Sequence, residues 1–169
     1  MEWNRFWKVL EDAARPDGLD HFEALKNELD RLKWFEVVEF QGRFEEALAS
    51  ANRVELWGAA IIVNGGCSER GFRDFRAWLV GRGRAVYEAA LREPDSLANV
   101  LDGDPVDGFG LDAAAVRVYE AKTGSSDFYE RLEPASAPFT EGLPIEFEDA
   151  EEMKKRYPKL FHLYFEELL

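Results

Sequence analysis

Along the first third of the chain, apolar residues recur at steps of three and four. Trp3, Phe6, Trp7 and Leu10 form one aromatic stripe over residues 2–14, which predicts a helix that stops before Pro16, since proline offers no backbone N–H to continue it. Phe22, Leu25, Leu29 and Leu32 repeat the spacing after Gly18 and Asp20, so Asp20 is the expected N-cap of a second helix. Val37, Phe40, Phe44 and Leu48 predict a third over residues 35–51, supported by Glu39 and Arg43 one turn apart. Trp34 to Phe40 is bulky and β-branched enough for a strand, but the period outlasts a typical strand.

Leu56 to Val63 is apolar on nearly every side, as expected of a helix buried among several neighbours; Ile61-Ile62-Val63 also fits a short buried strand. Asn64-Gly65-Gly66 breaks the pattern, and Ser68 is placed to cap the helix carrying Phe72, Phe75, Trp78 and Leu79, which ends at Gly81 and Gly83. Ala85 to Leu91 predicts another helix closed by Pro94, with Asp95 and Ser96 as caps of a short turn through Leu97 to Val100. Residues 102–110 hold three Gly, one Pro and three Asp and read as a turn-rich connector before a helix marked by Leu111, Ala114, Ala115 and Val118. Residues 133–148, with Pro134, Pro138 and Pro144 among Phe139, Leu143, Ile145 and Phe147, are expected to form an ordered extended strap. Asp149 and Glu152 then stand at capping-box spacing before a final helix with Tyr157, Leu160, Phe161, Tyr164, Phe165 and Leu168 on its inner face. The pattern as a whole predicts an all-α, bundle-like fold of about seven to nine helices in a single domain over residues 1–169.

Composition agrees: 169 residues, 46% hydrophobic, with 13 Phe, 5 Trp and 5 Tyr, supply a sizeable core without a disulfide or metal. The longest apolar run has eight residues, too short for a bilayer, and the N-terminus does not look like a secretory signal. Cys67 is the only cysteine, so a reducing cytoplasm is the expected location. The net charge of −13 opposes nucleic-acid binding by the surface as a whole. It is unevenly spread, with 13 basic and 15 acidic residues in 1–85 against 8 and 19 in 86–169. An acidic half of this kind serves solubility, or docks a basic partner protein.

The densest chemistry is at Asn64-Gly65-Gly66-Cys67-Ser68-Glu69-Arg70-Gly71, where a Gly-rich turn meets a helix N-terminus and can face an anion. It lacks the Gly-Lys-Ser/Thr ending of a P-loop and the glycine spacing of a dinucleotide fingerprint. Arg70, Arg73, Arg76, Arg82 and Arg84 follow, the one positive concentration in the chain. Its plain reading is a solvated face paired locally with Glu69 and Asp74; its functional reading is a phosphate or acidic-ligand site. Cys67 at a helix start could have a lowered thiol pKa, but a nucleophile needs a base, and His21 and His162 are distant in sequence. Both histidines read as surface or boundary residues. Asp102, Asp104, Asp107 and Asp112 suggest calcium, yet an EF-hand register puts Val106, Asp107 and Ala113 where an oxygen ligand, Gly and Glu belong. No metal, cofactor or catalytic residue is assigned, and no nucleophile-elbow, zinc-protease or kinase pattern occurs.

Leu56-Trp57-Gly58-Ala59-Ala60, Asn64 to Ser68, Gly71-Phe72, Phe75-Arg76-Ala77-Trp78-Leu79, Gly81, Gly83 and Pro94-Asp95-Ser96-Leu97 together resemble the bacterial domain of unknown function 4240, as does Phe6-Trp7. The likeness is dense over 54–98 and weak after about 120. It implies a bacterial helical domain and brings no activity with it. Within this stretch Asn64, Ser68, Arg76 and Asp95 are harder to explain by packing than the glycines and aromatics; they are caps and buried hydrogen-bond partners, or they line a pocket together with Arg73. Two expectations follow. The leading one is a non-enzymatic, acidic protein-interaction or regulatory module; the alternative is a small-molecule or nucleotide-binding enzyme with its pocket at the Asn64–Arg76 turn and helix.

Overall fold

Three helix starts are made by the side chains the sequence offers for them. Asp20 Oδ1 accepts from the Glu23 N–H at 3.1 Å, Ser68 Oγ from the Gly71 N–H at 3.1 Å, and Asp149 Oδ1 from the N–H groups of Glu151 and Glu152. The computed structural model describes residues 1–14, 20–135 and 149–166. Their order is α1 (Trp3–Ala13), α2 (His21–Asp30), α3 (Trp34–Ser50), α4 (Val54–Asn64), α5 (Glu69–Gly81), α6 (Arg84–Arg92), 3-10 turns at Pro94–Asn99 and Leu111–Ala113, α7 (Ala114–Thr123), a 3-10 turn at Tyr129–Arg131, α8 (Ala150–Arg156), α9 (Pro158–Phe161) and a π-helical segment at His162–Glu166. The fold is all-α, with no strand among the described residues. Among the described residues, no helix is long and apolar enough to cross a membrane.

The stretch that fitted either helix or strand, Ile61–Val63, is helical. Leu56 through Ala60, Ile62 and Val63 are buried, because α4 is packed on different sides by α5, α9 and the Pro94–Asn99 turn. Gly65 ends α4 at φ +66°, a conformation L side chains rarely adopt, and its N–H and that of Gly66 both reach Ile61 O. On the far side, α2 and α3 pack against α7, and α1 packs against α2. The aromatic stripe of α1 is core: Phe6 and Trp7 are buried against Phe40 and Tyr87, with ring centroids 5.0 Å apart in both pairs.

One expectation changes at the C-terminus and another lies mostly outside the described residues. The final helix is not continuous: Tyr157, preceding Pro158, leaves helical geometry at φ −130°, ψ 61°, and the chain restarts as α9 before widening into the π segment. Its docking nevertheless uses part of the predicted face, Tyr157, Leu160 and Tyr164, while Phe165 is exposed and Leu168 lies outside the described residues. Leu160 is fully buried, Tyr157 Oη donates to Glu55 O at 2.7 Å and Tyr164 Oη to Asp104 O at 2.8 Å. Of the expected strap, residues 136–148 lie outside the described residues, and residues 133–135 are exposed and irregular.

Candidate functional site

The arginines of α5 do not form the expected surface paired to Glu69 and Asp74. Arg73 Nε donates to Asp112 Oδ2 at 3.0 Å and its Nη2 to Glu45 Oε1 at 3.1 Å, joining α5 to α3 and to the Leu111–Ala113 turn. Glu45 is itself fixed by Gln41, buried in α3, whose Nε2 donates to it at 2.9 Å. Burial works against the charge on Arg73, but Glu45 and Asp112 outweigh it and raise its pKa.

Arg76, one turn on, has a different environment. Its Nη1 donates to Leu48 O at 2.8 Å and its Nε to Phe72 O at 3.4 Å, and the guanidinium lies 4.7 Å from the Phe72 ring centroid. Leu48 is in the last turn of α3, where carbonyls run out of intrahelical donors, so Arg76 closes that helix end with a cation. No carboxylate of the described residues contacts it. Burial, and then the charge of Arg73, push its pKa down to about 10, with Glu45 and Cys67 only partly opposing. Nη2 has no protein partner among the described residues.

Arg70, Arg73 and Arg76 line an open groove of about 610 Å³ together with Glu69, Asp74, Asp112 and the loop residues Phe109, Gly110 and Ala113. The size is that of a small-molecule site. Arg70 is exposed, with no ion-pair partner at contact distance among the described residues, its guanidinium 5.9 Å from the Phe109 ring centroid. The Asp74 carboxyl is pushed up by burial, pulled back by Arg70 and raised again by Asp107 and Asp112. No hydrogen-bond donor of the described residues reaches its oxygens.

The other sequence candidates serve the groove from outside or stand apart from it. Asn64 Oδ1 accepts from the Val106 N–H at 2.9 Å, pinning the 102–110 loop to the end of α4. Ser68 caps α5. Asp95, 4% exposed, is occupied by α9: its carboxylate accepts from the N–H groups of Lys159 and Leu160, so it caps a distant helix as well as lying within its own turn. Cys67 has its thiol pushed up to about 11, mainly by burial, so the lowered value required of a nucleophile is not there. Three of the four aspartates weighed for calcium are spent on turns and pairs: Asp102 accepts from Asp104 N, Asp107 from Phe109 N, and Asp112 from Arg73. Sequence reasoning missed Glu45, Gln41 and Phe109. The first two sit on what looks like an ordinary helix face, but an aromatic between two glycines at Gly108-Phe109-Gly110 is a signal that could have been read.

The model of the family described as Protein of unknown function (DUF4240) matches residues 1–131. The chain belongs to this family. The DUF4240 match covers α1 to α7, and with them every residue of the groove, while α8, α9 and the π segment follow it. No curated protein and no solved structure matches the chain.

Proposed function

We propose that this DUF4240 chain is a binding module for a small anionic molecule, held in the groove between α5 and the 107–113 segment. The observation behind the reading is Arg76: a half-buried cation with no carboxylate of the described residues at contact distance, its charge disfavoured by burial, opening onto a groove it shares with Arg70 and Arg73. An anion there would relieve the cost of that charge, and guanidinium groups present paired donors suited to phosphate or carboxylate. Arg73, already held by Glu45 and Asp112, supplies a rigid wall, leaving Arg70 and Arg76 as the anion's partners.

The competing reading, docking of a basic partner protein by the acidic second half, has net charge behind it. Several of those carboxylates are already engaged within the chain, Asp112 with Arg73, Asp127 with Arg131, Glu152 with Arg156 and Glu166 with Lys154. The groove has named groups and a defined shape, and takes precedence.

Ribose 5-phosphate, titrated into isotope-labelled protein at low salt, tests the reading. Amide shifts at residues 69–76 and 109–113 are expected, with a Kd of about 1 mM or tighter, weakening as salt rises. Arg70→Ser should weaken binding, whereas Arg84→Ser, which removes an arginine paired with Glu88 outside the groove, should not. Absence of shifts, or equal losses in both variants, would overturn the proposal.

A further inference from the structure

Phe109 is the most exposed large apolar side chain among the described residues, at 66%. Its exposure contrasts with how firmly its backbone is held. On one side Val106 N–H is tied to Asn64 Oδ1, and Phe109's own N–H donates to Asp107 Oδ1 at 2.7 Å. On the other, Leu111 N–H closes a turn onto Gly108 O at 3.1 Å. Gly108 itself is pressed so closely onto α5 that a Cβ there would overlap Asp74 O and the backbone N of Trp78. The held backbone therefore keeps Phe109 on the rim of the groove, beside the Arg70 guanidinium, rather than folding it into the nearby core. An exposed aromatic beside Arg70 and Arg76, neither in contact with a carboxylate of the described residues, is an arrangement that can receive a flat ring and an anion together, the ring by stacking and the anion by guanidinium hydrogen bonds.

We infer that the groove takes a phosphate ester carrying a flat heteroaromatic ring, of which a nucleoside monophosphate is the simplest example, with the ring stacked on Phe109 and the phosphate toward Arg70 and Arg76. The inference rests on the anion-binding reading above and adds the ring. Asp74, whose oxygens receive no hydrogen bond from the described residues, stands in the same groove as an acceptor for a ligand hydroxyl or amino group. The volume of about 610 Å³ accommodates a ligand of this size.

Adenosine 5′-monophosphate and ribose 5-phosphate, which share the sugar phosphate and differ in the base, are to be titrated calorimetrically into the full chain. Adenosine 5′-monophosphate should bind about tenfold more tightly than ribose 5-phosphate. Phe109→Leu, which keeps an apolar side chain but no ring, should abolish that preference, bringing adenosine 5′-monophosphate down to the affinity of ribose 5-phosphate. Its far-UV circular dichroism should match wild type, since the side chain is mostly in solvent. Equal binding of the two ligands, or a preference that survives Phe109→Leu, would overturn the stacking role while leaving the anion site standing. If neither ligand binds, the anion site and this inference fall together.

Discussion

Asp95 lies beneath the start of α9, where its carboxylate accepts from the backbone N–H of Leu160 at 2.9 Å, a bond that joins residues 65 apart in the chain. The same carboxylate takes the Lys159 N–H at 3.1 Å. α9 thus receives its N-cap from the Pro94–Asn99 turn, because Tyr157 before Pro158 has no oxygen placed to act as one. A residue inside the family-matched region thereby anchors a segment outside it.

Replacing that carboxylate should loosen the C-terminus first. Asp95→Ala strands two N–H groups, one of them buried, and is expected to cost about 2–4 kcal/mol of stability, with Asp95→Asn recovering part of the loss. Hydrogen exchange should quicken at residues 159–166 before it does in α3 or α4. Uniform quickening across all helices would mean that Asp95 supports the core and not this junction in particular.

Much of the fold is legible in the sequence because it depends on local rules. Asp20, Ser68 and Asp149 cap what their spacing predicts, and the apolar periods give α1 to α7 to within a few residues. The final segment was misread as one helix because the apolar period runs on through Pro158, while the proline breaks the backbone. The site is less legible, for a physical reason. Asn64, Arg73, Arg76 and Asp95 each act on a partner 28 to 64 residues or more away, Val106, Glu45, Leu48 and Lys159, and spacing within one helix carries no information about such partners. Arg73 and Arg76 look alike in sequence. Only the fold gives one of them two carboxylates and the other a helix-end carbonyl.

That difference predicts unlike responses to mutation. Arg76→Met removes a donor to an otherwise unsatisfied α3 carbonyl but also removes a poorly solvated charge, so stability should fall by no more than about 1–2 kcal/mol. Arg73→Met leaves Glu45 and Asp112 without their shared cation beside the groove, and ribose 5-phosphate binding should suffer from their repulsion as well as from the missing cation. Urea unfolding of both variants, alongside the titration, checks this. A larger loss of stability at Arg76 than Asp95→Ala produces would show that Arg76 is chiefly a structural cap.

Gly108 sets the spacing between the Phe109 loop and α5. Gly108→Ala brings a methyl group against Asp74 O and Trp78 N, backbone atoms of a helix that cannot yield as a side chain can. The loop must lift instead, at a cost of roughly 1–3 kcal/mol. The emission of Trp78, which is partly buried under this loop, should shift to the red, and any ligand preference due to Phe109 should disappear with it. An unchanged spectrum and unchanged stability would show that the loop has slack the close approach does not suggest.

His21, read from sequence as a surface or boundary residue, has a buried Nε2 without a hydrogen-bond partner among the described residues. Its ring fills the space left by the missing side chain of Gly81, where a Cβ would come within 2.7 Å of Cε1. Burial, then the charge of Arg82, lowers its pKa from the ordinary 6.5, with Asp20 opposing. The native state therefore resists a proton that the unfolded chain accepts. This group leaves stability unaffected above about pH 6.5 and reduces it as the pH falls from there toward the lowered folded value. Urea midpoints at about pH 7.5 and about pH 5.5 should differ for the wild type, and His21→Leu should narrow the difference while holding the packing against Gly81 and Leu111. A pH dependence unaltered by His21→Leu would assign it to the carboxylates instead.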